Sequence, residues 1–205
     1  MREKDSLEKI EDEVNTCEAC KLYVGRTKTV PGEGSPKADV FFIGEGPGKN
    51  EDLEGRPFVG AAGKFMEEML SAINLTRQDV FIGNVVKCRP PMNRDPEEDE
   101  IKSCERYLYR QLKEIKPKLI VTLGRFSLKI FIPNESISSV HGRLKKIKFK
   151  NIDHPLHKLG AMYVLPLYHP AAALYRGNMR QILMDDFKNI TKILKVITKI
   201  PKKVG

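Results

Sequence analysis

The chain has 205 residues and an apolar fraction of 40%, which suits one domain spanning 1–205 with a real hydrophobic core. Charged residues make up 31% and are interspersed with apolar ones, which excludes a disordered or low-complexity chain. The formal net charge of +9 fits either a polyanionic partner or the Lys-rich surface common in heat-adapted proteins.

The opening segment, MREKDSLEKIEDEV, is charged and amphipathic and lacks the apolar stretch of a signal peptide. No run approaches about 18 apolar residues, so no membrane span is expected. Both features predict a cytoplasmic protein, in a compartment where disulfides are rare. Cys17 and Cys20 follow as a C-x2-C pair. Asp39 to Ile43 reads as a buried strand and runs into the Gly-rich stretch Gly44 to Gly63. Gly60 to Ile73 has helical periodicity, with Phe65, Met66, Met69, Leu70 and Ile73 on one face. Val80 to Asn84 is a second strand, and Cys88 lies just beyond it. Pro96 to Ile115 begins with Pro and acidic residues, a helix start, and carries Cys104. Lys118 to Leu123 is a third strand and Gly124 to Phe131 a short helix. Ser136 to Leu159 is the least readable stretch; Arg143 to Ile152 alternates basic and apolar residues and suggests a hairpin. Tyr163 to Tyr168 is a fourth strand, ending at His169-Pro170. Asn178 to Ile197 is a closing amphipathic helix, and the Lys192, Lys195, Lys199, Lys202, Lys203 series reads as its solvated face.

Strands alternating with helices predict an α/β fold: a three-layer α/β/α sandwich around a four-stranded, mainly parallel sheet. Ligands of such sheets bind beyond the carboxyl ends of the strands. That rule brings Glu45, Asn84 and His169, distant in sequence, to one edge.

Four thiols in an intracellular chain, two of them at C-x2-C spacing, point to a metal centre of zinc or iron–sulfur type. The wide C-x15-C spacing of Cys88 and Cys104 is unlike the two short pairs of a zinc knuckle. The Gly-rich stretch matches neither G-x-x-x-x-G-K-[ST] nor a helix-opening G-x-G-x-x-G, so no nucleotide cofactor is expected.

CEAC, GEGPG, EDLEGRPFVGAAGKF, FIGNVVKCRPP, Cys104 and LYHPAAAL together resemble the family 4 uracil-DNA glycosylases, the iron–sulfur branch of that superfamily. The likeness runs from Cys17 to the closing helix. It implies a [4Fe–4S] cluster of structural role on Cys17, Cys20, Cys88 and Cys104. It also implies a monomeric thermophile enzyme that flips deoxyuridine out of single- or double-stranded DNA during base excision repair. Localisation near the nucleoid follows, and a sliding clamp is a further candidate partner. The resemblance makes Phe58 a stacking platform, Asn84 the uracil reader, Glu51 the residue that crowds a thymine methyl, and His169 the donor to uracil O2. Glu45 is then the candidate catalytic carboxylate beside His169. Gly46 stands where the family usually has Ala and another branch has a water-activating Asp. The loop Arg89 to Pro96 has no His of the kind that traps DNA covalently in some relatives. Leu174 is the candidate wedge, with Arg89, Arg94, Arg176 and Arg180 on phosphates.

Singly, each residue has a plainer role: Phe58 in a core, Asn84 capping a turn, Glu45 on a solvated loop. Two other functions use the same residues: a non-catalytic binder of uracil-DNA, and a zinc-stabilised nucleotide hydrolase.

Overall fold

The computed structural model describes residues 5–199. Six strands form one sheet: β1 (Glu33–Gly34), β2 (Val40–Gly44), β3 (Phe81–Asn84), β4 (Leu119–Leu123), β5 (Lys145–Lys148) and β6 (Ala161–Leu167). Their spatial order is β1-β3-β2-β4-β6-β5. The four inner strands are parallel, and β1 and β5 are antiparallel edges. The α/β class agrees with the sequence reading; the strand count of four is corrected to six. The additions were hard to see because β1 is two residues long and β5 reads KKIK, with half its side chains facing solvent. The lysines of β5 block pairing of that edge with another sheet.

The eight α-helices among the described residues are α1 (Leu7–Asn15), α2 (Lys49–Glu54), α3 (Ala61–Ser71), α4 (Glu98–Ile115), α5 (Arg125–Phe131), α6 (Ile137–Val140), α7 (Ala172–Tyr175) and α8 (Gly177–Lys199). None is long and apolar enough to cross a membrane. The expected closing helix is α8; Lys202 and Lys203 of its basic tail lie outside the described residues.

Alternation along the inner strands splits the core in two. Phe41, Ile43, Ile120 and Val164 face α1 and α4, while Phe42, Val121, Leu165 and Leu167 face α3 and α8. A strand buried on both faces has no polar alternation, which is why these segments read as continuous apolar runs. On the first face Arg110 of α4 forks onto Asp5 at 2.7 and 2.8 Å and onto Glu13, pinning α1 against α4. On the second, the Phe42 and Phe187 rings stack at 5.3 Å. The chain leaves β2 to form β3 on one side and then crosses to β4 on the other. β2 is therefore the switch point of the sheet, where α/β folds open a crevice.

Candidate active site and the cysteine cavity

Register fixes the site's floor. Gly44 is paired with Asn84, and Leu123 with Leu167, so β2, β3, β4 and β6 end at nearly one level. A Cβ on Gly44 would lie 2.4 Å from Asn84 Oδ1 and 2.8 Å from the Phe58 ring, so amide and ring meet over a bare backbone. The Phe58 and His169 rings stack at 5.5 Å with 25° between planes. Across the edge, a Cβ on Gly124 would stand 3.3 Å from His169 Cβ. Phe58, Asn84 and His169 are thus gathered in one place, and Glu45 follows Gly44 directly. Asn84 is 2% exposed and its Oδ1 has no hydrogen-bond partner. A buried acceptor left unpaired costs about 1–3 kcal/mol, which a ligand donor can recover.

The loop from Gly44 to Gly63 is held by groups at a distance. Glu51 Oε1 accepts from the N–H groups of Val59 and Gly60, both at 2.9 Å, and Oε2 accepts from Gly48 N–H at 3.1 Å. Arg77 donates to the carbonyls of Phe58, at 3.0 Å, and Pro57. Phe58 itself is held at φ 53°, a left-handed conformation uncommon for a bulky residue. Gly63 is required there: its Cβ would fall 1.8 Å from the Phe58 carbonyl oxygen. The Glu51 carboxylate is committed to the backbone, and it reaches the pocket through its field on His169.

Two titratable groups at the edge are shifted in opposite ways. Burial pushes the Glu45 carboxyl up to about 7, with Asp95 adding to the shift and Arg125 opposing it. Burial pulls His169 down to about 4, against the pull of Glu51. His169 is therefore neutral at physiological pH. Its Nδ1 accepts from Ala171 N–H at 3.2 Å, which leaves the proton on Nε2 as a donor. Asp95 and Arg125 form an ion pair across the mouth.

Gly46 faces Val86: a Cβ would lie 2.7 Å from Val86 Cγ2. A side chain at this position would require Val86 to shift.

The four cysteines are free thiols lining one cavity behind β3, closed by Val14, Leu22 and Tyr107. Donors surround them. Arg26 Nη1 lies 3.4 Å from Cys88 Sγ, Lys87 N–H 3.3 Å from Cys104 Sγ, and Arg106 Nη2 3.8 Å from Cys17 Sγ. Burial holds Cys104 up at about 12, with Lys87 opposing and Cys88 and Cys20 adding to the shift. Lys87 is fully buried, its Nζ donating to Asn84 O at 3.0 Å and Gln111 Oε1 at 2.8 Å. The one group that opposes this desolvation of its ammonium is Cys104, when its thiol is ionised. A buried cation with no carboxylate beside it fits an anionic cage. Among the described residues no three Cys, His, Asp or Glu close around a point as a single ion needs.

The remaining candidates separate by their partners. Arg94 forks onto Glu100 at 2.6 and 2.9 Å, and Glu100 is fully buried, so a phosphate at Arg94 would compete with that pair. Among the described residues Arg180 pairs only with an exposed Glu68, and it lies over the Phe65 ring. Arg89 donates to Asn93 Oδ1 at 2.7 Å. Leu174 and Arg176 are exposed after β6. Sequence reasoning missed Arg77, Lys87, Asp95 and Arg125. Arg125 follows the strand-end Gly124, so the strand-end rule could have found it; nothing in the sequence marks Lys87 as buried.

Fold and site together define a doubly wound α/β protein with a ligand pocket at its strand switch point and a thiol cage beside it. The family model of the uracil DNA glycosylase superfamily matches residues 31–195. A type-4 uracil-DNA glycosylase of Sulfurisphaera tokodaii is 54% identical over 92% of this chain and 85% of its own length. Those of Saccharolobus solfataricus and Archaeoglobus fulgidus are 49% and 45% identical, covering 93% and 92% of this chain and 87% and 94% of their own lengths. The chain belongs to the uracil-DNA glycosylase superfamily.

Proposed function

We propose that this chain is a uracil-DNA glycosylase of the type-4 kind, acting in DNA repair as a single-domain monomer that carries every group the reaction needs. The observation that carries this reading is the unpaired, buried Asn84 Oδ1 beside the Phe58 ring.

The glycosidic bond of a stacked base in duplex DNA is out of an enzyme's reach, so deoxyuridine enters flipped out. Phe58 stacks on the pyrimidine face. Asn84 Oδ1 accepts from uracil N3–H while its amide donates to O4. Cytosine, with a bare N3 and a donor at C4, leaves both groups unpaired, a strong discrimination. Glu51 supports recognition by holding the loop that carries Phe58, which fixes how closely the ring approaches C5. Water bonds to C1′ as the C1′–N1 bond breaks, and the bonding pair leaves with uracil. The neutral His169 donates through Nε2 to O2, where negative charge develops. Glu45, once ionised, stabilises the sugar cation and accepts the water proton. Leu174 fills the vacated stack, and Arg89, Arg176 and Arg180 hold phosphates. The Arg180 pair is exposed and worth little, so a phosphate can displace Glu68.

Cys17, Cys20, Cys88 and Cys104 would hold a [4Fe–4S] cluster, which supplies structural cross-linking and no step of the cleavage. Zinc at 2.3 Å from each sulfur would hold tetrahedral thiolates about 3.8 Å apart. The ion-pair networks of Arg110 with Asp5 and Glu13, and of Arg94 with Glu97 and Glu100, suit a heat-stable protein.

The test is incubation with an oligonucleotide bearing one deoxyuridine, followed by alkali. Strand scission with release of free uracil is expected; tight binding without release would establish the non-catalytic reading. Anaerobically purified protein should show the broad brown absorption of thiolate-ligated iron, and a colourless, zinc-containing protein would remove the cluster.

A further inference from the structure

The two most exposed large apolar side chains among the described residues are Met92, 91% exposed, and Tyr175, 85%. They lie far apart in sequence, yet both follow the carboxyl ends of inner strands. Met92 sits on the loop that leaves β3, and Tyr175 ends α7, which follows β6, next to Leu174. β3 and β6 flank the central β2–β4 pair, about 14 Å apart at roughly 4.8 Å per strand step. The Met92 loop forms the rim itself. Pro90 Cδ comes within 3.7 Å of where Gly46 would carry a Cβ, and Asp95 acts on Glu45.

The loop is built to hold that tip outward. Met92 and Asn93 are consecutive left-handed residues, at φ 54° and 55°. Asn93 N–H donates to Pro90 O at 3.0 Å, and Arg94 N–H to Pro91 O at 3.1 Å. Arg89 closes the turn on Asn93 Oδ1, and Arg94 anchors its far end on buried Glu100. A pinned, strained turn that presents an unbranched apolar side chain to water returns nothing to the folded chain. A partner at the rim would supply that return.

We propose that Met92 is a second wedge, entering the DNA base stack from the β3 side of the flipped nucleotide, opposite Leu174. The partner is duplex DNA. Methionine is among the side chains that part base steps, and its flexibility fits an irregular gap. This rests on the glycosylase reading. The duplex places a second base step beside the one that Leu174 fills, and the two prongs hold it open from both sides.

The experiment compares uracil release from a duplex and from the same strand alone, for wild type, Met92→Ala, Met92→Leu and Met92→Gln. The duplex-to-single-strand ratio should fall about tenfold in Met92→Ala and Met92→Gln, the scale of losing part of an unstacking contribution, and return in Met92→Leu. A 2-aminopurine beside the deoxyuridine should brighten less on binding Met92→Ala than wild type. Unchanged ratios in all three variants, or equal losses on both substrates, would overturn the wedge while leaving the glycosylase in place. A wild-type protein that releases uracil from neither substrate would remove the glycosylase reading and the wedge with it.

Discussion

Glu45 and His169 show how one strand edge sets two protonation states. Both are desolvated, and desolvation favours the neutral form of each: it raises the acid to about 7 and lowers the base to about 4. His169 therefore stays an uncharged donor across the working range, and Glu45 alone titrates near neutrality. If the ionised carboxylate is the active form, uracil release should climb as pH rises through about 7, and Glu45→Gln should be slow and flat across that window. A wild-type profile flat between pH 6 and 8, roughly one unit either side of that value, would mean Glu45 does not govern the rate. Glu51 acts differently. Its two oxygens satisfy three backbone N–H groups, so Glu51→Ala should cost about 2–4 kcal/mol by thermal or urea unfolding. The same variant should bind uracil-DNA more weakly, because the Phe58 loop loses its clamp.

Among elements, the cage ties three segments that the sheet alone does not join: the end of α1, the loop after β3, and α4. With the proposed cluster on these cysteines, its oxidative loss, or Cys88→Ser, should abolish the brown absorbance and lower the melting temperature. Hydrogen exchange should then rise first in residues 14–26 and 88–104, while the central strands stay protected. Lys87 connects this cage to the reading strand, since its ammonium holds the Asn84 carbonyl and its N–H faces Cys104 Sγ. Lys87→Met keeps the side chain's bulk and removes that donor. Its KM for uracil-DNA should rise more than its kcat falls, with the chromophore retained; equal changes in both would show only a general loss of structure.

Over the whole molecule, the net charge of +9 supports attraction to DNA without selecting a site. Selection among the arginines comes from their partners. Binding should weaken steeply with salt, and Arg176→Ala should flatten the log–log slope by about one. Arg94→Ala should leave the slope unchanged while lowering stability, because its guanidinium is spent on buried Glu100. Fluorescence anisotropy at several salt concentrations separates the two outcomes.

The local signals in the chain were enough for the four inner strands, for α3, α4, α5 and α8, and for the α/β class, because a strand buried on both faces must be apolar throughout and a helix buried on one face must repeat every third or fourth residue. Cys17, Cys20, Cys88 and Cys104, and the strand-end residues Glu45, Asn84 and His169, were legible for the same reason: spacing and the ends of strands are properties of the sequence. Edge strands β1 and β5 were not, since a two-residue strand and a basic, half-solvated one carry no distinctive period. Nor could sequence place charge partners. That Arg94 is spent, that Lys87 is buried, that Glu51 clamps the Phe58 loop and that His169 is neutral all depend on which distant groups pack together and how much water they exclude. Hydrogen bonds and desolvation act over a few ångströms of space, across separations of 76 or more residues in the case of Lys21 with Glu97 and Arg110 with Asp5. Only the tertiary structure decides those neighbours.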